Sequence, residues 1–296
     1  MKSVAEWLAA RPLNAVIGLA ALQSLPLVSF LSGAVLVYLV LLQGVKRAVI
    51  EAIVAGALLL ALTGVTGLPL EPRMAGIASV WLPALLMSLI LRGVGSLTLA
   101  VQVAVIVMVV AVLAFMVAAG NPVEFWTTFL DALVDAWREA GLNEQADLIG
   151  PQIGALAEHM TVWVAFVSWG IAVVMLLLGY ALYRQGQRDK RNYGRFCDLN
   201  LGRVIAGVMA VTSVVAFIAG LAWLQSVAFV LFAVFSVQGI AIVHWLHAEG
   251  MVPVFVVVLL YGTMVVLSPI IITAMAVLGY IDAWFNLRRF RNAPPG

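Results

Sequence analysis

The sequence predicts an all-α, polytopic transmembrane helical bundle of about eight to ten spans, with both termini on the same side, and three observations predict it. Hydrophobic residues make up 64% of the chain and charged residues only 10%, with a mean hydropathy of +1.11. That is more apolar surface than a protein facing water can carry. The charges stand in short clusters between apolar runs long enough to cross a hydrocarbon core, which takes about 20 helical residues. These clusters also differ in sign, which assigns them to sides, because cytoplasmic loops near membrane ends carry excess Lys and Arg.

Lys2 and Arg11 precede the first run, Leu13–Val45, and Lys46-Arg47 follow it at once. The run is longer than a signal-peptide core, so it reads as a retained membrane segment. Pro26, after Gln23 and Ser24, makes it a hairpin of two short crossings or a broken helix, because proline removes a backbone donor. Ala52–Leu70, Met74–Leu91 and Gly93–Gly120 follow, separated by Glu71-Pro72-Arg73 and by Arg92. After the segment 121–159 come Met160–Tyr183, Val204–Val243 and Met251–Ile281. The last two exceed one crossing, with breaks expected at Gln225-Ser226 and Ser268-Pro269. With Lys2 inside, Lys46-Arg47, Arg92, the loop 184–203 and the terminal Arg288, Arg289 and Arg291 all fall inside. Glu71-Pro72-Arg73 and the segment 121–159 fall outside. The chain is thus expected to form one integral membrane domain, 1–296, in a bacterial inner membrane, N-in and C-in, with a disordered tail at 292–296.

The outer segment 121–159 carries Glu124, Asp131, Asp135, Glu139, Glu144, Asp147 and Glu158 against Arg138. Asn121 is a good N-cap, Pro122 suits the first turn, and Gly141 can end the helix. Trp126, Phe129, Leu130, Leu133, Val134 and Trp137 then share one face, opposite Asp131, Asp135, Arg138 and Glu139. Such an amphipathic face is expected on the outer membrane boundary, as a lid over the bundle, or against a partner. A second, weaker helix is expected through Leu148, Ile149, Ile153 and Leu156.

The residues argue against several kinds of chemistry. Net charge is +2 and the bases are clustered, so no nucleic acid is expected. The one cysteine, Cys197, allows no internal disulfide. His244 and His247 share a helical face near Glu249, but a zinc site needs three or four convergent ligands. No metal, cofactor or catalytic residue is expected, and no GxSxG or P-loop is present. Glu51 near Arg47, and Asp282 near Asn286 and Arg288, read as interfacial pairs. No charge falls at a membrane centre, which argues against a proton relay. The nine tryptophans lie mostly at span ends, as an aromatic belt does.

Polar residues inside apolar runs either line a pocket or join helices by hydrogen bonds. The candidates for pocket lining are Gln23, Gln102, Ser236, Gln238 and Thr263, with Gln225 and Thr273 also among the polar residues of these runs. Ser236-Val237-Gln238-Gly239 is the most pocket-like. The basic loop RQGQRDKRNYGRFCDLNLGR contributes Arg184, Arg188, Lys190, Arg191, Arg195 and Arg203. It reads first as the cytoplasmic anchor that sets topology, and second as a contact for anionic headgroups or a protein partner.

Gly202-Arg203 opening a span, Gln238-Gly239 within the next, LGYIDAWFNLRR at Leu278–Arg289 and QSLP at Gln23–Pro26 resemble the YybS-like family of bacterial inner-membrane proteins. The resemblance implies a loose kinship with the S components of energy-coupling-factor transporters, which bind a ligand and take energy from partner subunits. The expected function is therefore binding or transport of a small solute or lipid without an ATPase of its own. The alternative is a scaffold or accessory subunit docked through its basic loop. Membrane lipids are expected partners, and a protein partner or homo-oligomer stays open.

Overall fold

The computed structural model describes residues 2–67, 69–186 and 191–288; among them the chain is helical throughout, with no strand. In order the helices are α1 (Lys2–Ala10), α2 (Pro12–Gln23), α3 (Phe30–Gln43), α4 (Val45–Thr66), α5 (Leu70–Val94), α6 (Leu97–Ala119) and α7 (Pro122–Glu139). There follow α8 (Asn143–Ile149), α9 (Ile153–Gly186), α10 (Gly202–Ala219), α11 (Ala222–Ala233), α12 (Phe235–Ala248), α13 (Val254–Val266) and α14 (Ser268–Phe285). Among the described residues seven helical segments are long and apolar enough to cross a membrane, in α4, α5, α6, α8–α9, α10, α11–α12 and α14. Reaching the expected count of about eight to ten requires the shorter apolar helices Pro12–Gln23, Phe30–Gln43 and Val254–Met264 as well. Arg188, Lys190, Arg289, Arg291 and the tail 292–296 lie outside the described residues.

The helices cluster into two compact units, 1–104 with 170–196 and 105–169 with 197–296. In the first, the expected hairpin forms: α2 ends at Ser24, a 3-10 turn covers Pro26–Val28, and α3 returns. Ser32 donates to the Leu19 carbonyl at 2.9 Å and accepts from Trp81 Nε1 at 2.9 Å, tying α2, α3 and α5 together. α3 alone has 14 residues, about 21 Å long. α5 packs beside it at both ends. Arg73, in the first turns of α5, reaches Ser24 at the hairpin tip, while Arg92 in its last turn donates to the Val40 carbonyl at 2.6 Å near the open end. Arg73 and Arg92 are separated by about 28 Å of helix, so the turn and α3 together run along most of the length of α5. Gly179 makes room for close packing, since a Cβ there would lie 2.5 Å from the Ala34 carbonyl oxygen of α3. Glu51 is buried, accepting from Gln43 and pairing with Arg47 at 3.3 Å.

In the second unit, α7 starts where its signals place it. Asn121 Oδ1 accepts from the Glu124 backbone N–H at 3.3 Å, with Pro122 at the start of the helix. Its apolar face is covered by its own chain: Leu130 and Val134 bury against Ala146, Ile153 and Ala157, flanked by Trp126, Leu133 and Trp137. Trp126 Nε1 also donates to Thr161 Oγ1 at 2.8 Å. Of the expected face only Phe129 is exposed, at 51%, and its ring still meets Trp126 edge-on. The second helix of this segment divides at Gly150–Gln152, so Ile153 and Leu156 belong to the long α9.

The run Val204–Val243 breaks at Gly220, which caps α10 at φ +64°, and again at Val234. The expected break at Gln225-Ser226 is not there: both lie inside α11, because a glutamine does not interrupt a helix while a glycine tolerates the left-handed cap. The last run does break at Ser268-Pro269, where proline occupies the second position of α14.

Candidate functional site

The densest buried polar cluster lies in the second unit, where α12 and α14 meet the end of the basic loop. These helices run antiparallel, with Gly239 against Met275 and Gly279 against Phe235. A Cβ on Gly239 would sit 2.0 Å from the Met275 carbonyl oxygen, and one on Gly279 would sit 2.1 Å from that of Phe235. Only glycine permits backbones this close. The approach brings Gln238 to Asp282, both with no exposed surface, and Gln238 Nε2 donates to Asp282 Oδ2 at 2.6 Å.

Beyond α14 the chain turns back at Asn286 (φ +49°), and Leu287 N–H donates to Asp282 Oδ1 at 2.9 Å. That reversal returns Arg288 to Asp282 at 2.7 Å, a pair that six residues of straight helix would not bring together. Arg288 also donates to the Cys197 carbonyl at 2.7 Å and the Leu199 carbonyl at 2.8 Å, while Gln238 Oε1 accepts from Leu201 N–H at 2.7 Å. The buried carboxylate and guanidinium are both partnered, as burial of charge requires. The cluster can therefore latch the loop end Cys197–Leu201 to α12 and α14. Asp282 is a fully buried clasp here, where the sequence suggests an interfacial pair.

A groove of about 350 Å³ opens between the antiparallel α10 and α11, lined by Met209, Ser213, Ala216, Phe217, Gln225, Ala228, Phe229 and Phe232. Its walls are apolar. Gln225 stands near the Gly220 end and is exposed, and among the described residues its side-chain amide has no hydrogen-bond partner. Ser213 lies midway and donates only to Met209 Sδ, at 3.4 Å. Phe229 and Phe232 also wall a more enclosed cavity of about 90 Å³ with Trp163, Phe166, Pro269 and Thr273. An apolar trough with one free amide near its end can hold a molecule with an apolar body and a polar end.

The sequence-derived candidates do not converge on one pocket. Gln238 is in the latch. Ser236 is buried, but two residues away on α12 it faces another flank. Gln102 is half-buried on α6. Thr263 turns back on α13, donating to the Leu259 carbonyl at 2.7 Å. Gln23 lies at the hairpin tip and donates to the Gly76 carbonyl at 3.0 Å. In the basic loop, Arg191 sits 5.4 Å from the Tyr193 ring centroid, while Arg184, Arg195 and Arg203 are exposed, with Arg203 donating to the Trp284 carbonyl at 3.1 Å. His244 and His247 go to separate partners, Tyr261 OH and the Val252 carbonyl. Among the described residues no three His, Cys, Asp or Glu gather as metal ligands.

Sequence reasoning pairs Asp282 with Arg288 but misses the burial of that pair against Gln238, and it misses the groove phenylalanines. The available signals were the two glycines, 239 and 279, and an Asn just past a helix end. No curated protein and no solved structure matches the chain. A family model described as a predicted membrane protein, DUF2232, matches residues 13–283, from α2 through the latch carboxylate, and the chain belongs to that family.

Proposed function

We propose that this chain is a non-catalytic integral membrane protein that holds a small amphipathic solute or lipid in the α10–α11 groove, without an ATPase of its own. The observation that carries this reading is the free Gln225 amide near the end of an open apolar trough of about 350 Å³. The YybS-like motifs, and through them the likeness to S components, support a division in which this chain captures a ligand and energy comes from elsewhere. A fluorescent fatty acid bound to the purified protein tests it. Ser213→Trp fills the trough and should abolish binding, and Gln225→Leu should weaken it about tenfold, the worth of one hydrogen bond to a polar end group. Unchanged binding in both variants would exclude the groove.

A second reading, a scaffold that docks a partner, is favoured by the exposed Arg184 and Arg195 of the basic loop. Both readings place that loop in the cytoplasm of a bacterial inner membrane and 121–159 outside. With Cys197→Ser as background, a cysteine at Glu144 should react with an impermeant maleimide in intact cells, and one at Arg184 only after permeabilisation. The opposite pattern would invert the topology.

A further inference from the structure

A second polar site lies at the tip of the α2–α3 hairpin, in the first unit, and its groups are not satisfied by the protein. Gln23 is only 7% exposed, and its Oε1 is buried with no hydrogen-bond partner. The orientation of this amide is fixed by its other branch: Nε2 donates to the Gly76 carbonyl at 3.0 Å, and a flipped amide would set two oxygens against each other. One helical turn before Gly76 stands Arg73, a half-buried residue whose Nε is also buried without a partner. Its Nη2 donates to the Ser24 hydroxyl at 3.2 Å, and no carboxylate pairs with it among the described residues. Among the described residues the buried charged side chains are provided for: Arg288 has Asp282, and Glu51 has Arg47 and Gln43.

A buried donor on a cation and a buried acceptor, both unpaired at one hairpin tip, are costly unless something bridges them. The bridging group needs anionic oxygens for Arg73 and an N–H or O–H donor for Gln23 Oε1. The flanks of the site are apolar and exposed, with Leu25, Leu27 (92% exposed), Leu70 and Met74 around it. The geometry points to a phosphate-bearing headgroup with an adjacent amine as the ligand, the phosphate on Arg73 and the ammonium on Gln23, as in a phosphoethanolamine group; the Ser24 hydroxyl already donates to the Ala20 carbonyl at 3.0 Å. Choline, which carries no N–H, satisfies only half of this site. The inference does not rest on the α10–α11 groove.

The test uses full-length protein reconstituted in nanodiscs of equal parts phosphatidylethanolamine and phosphatidylcholine, with the lipid retained on extraction measured by mass spectrometry. Wild type should retain the ethanolamine lipid over the choline lipid by about tenfold or more, the worth of one charge-assisted hydrogen bond. Gln23→Leu should erase the preference while keeping phospholipid, and Arg73→Gln should lose both. Arg73→Lys, which keeps the charge but lacks Nε, should fall between. Ser213→Trp should leave the preference intact, which separates this site from the groove. Displacement by free phosphoethanolamine at millimolar concentration would identify a soluble ligand of the same chemistry; no displacement would identify the lipid headgroup. Equal retention of the two lipids by wild type, or an Arg73→Gln protein that behaves as wild type, would overturn the proposal.

Discussion

Asp282→Ala should destabilise the protein by about 3–5 kcal/mol, because removing one partner of a buried pair leaves the other charge without compensation. Arg288 is nine-tenths buried and would keep only the carbonyls of Cys197 and Leu199. Gln238 Nε2 and the Leu287 N–H would lose their acceptor in the same step. The loss is readable as a lower midpoint in a thermal scan of detergent-solubilised protein, followed by size-exclusion recovery. The pair Asp282→Leu with Arg288→Met should restore most of it, since apolar replacement of a whole buried ion pair is often neutral or stabilising. A single variant within about 1 kcal/mol of wild type would mean that the pair is exposed to water.

Gly279→Ala should cost more than the 1–3 kcal/mol usual for overpacking. The added methyl would sit 2.1 Å from the Phe235 carbonyl oxygen and 2.8 Å from the Gly239 nitrogen, all backbone atoms that cannot swing away. α12 and α14 must separate, and with them Gln238 from Asp282, so the loop end Cys197–Leu201 should become accessible. Cys197 is then expected to react faster with a thiol reagent than in wild type. Gly262→Ala serves as the control: nothing lies within 4 Å of a Cβ there, and it should be neutral or gain up to about 1 kcal/mol of helix propensity.

These two expectations show which part of the molecule the sequence discloses. Lipid-facing helices announce themselves by composition, and α7 announces its start through Asn121 and Pro122, because both signals are local. The first hairpin follows from Pro26 and the last break from Pro269 for the same reason. Gln225 misleads because polarity within an apolar run resembles a break, whereas the backbone responds to Gly220. Asp282 reads as an interfacial pair because Arg288 follows it; its burial depends on Gln238, 44 positions earlier, and on a left-handed turn at Asn286. The partner of the α7 face is likewise non-local. Hydrophobic spacing shows that Leu130 and Val134 must be covered, but not that Ala146 and Ala157 cover them.

Native mass spectrometry of protein extracted gently from its own membrane is the most direct test of ligand holding. The account predicts a reproducible amphipathic molecule in the groove of wild type that is lost from Ser213→Trp, while phospholipid held at the hairpin tip stays on both. Protein that is consistently empty, and that co-purifies with a stoichiometric partner through Arg184 and Arg195, would contradict it and establish the scaffold reading instead.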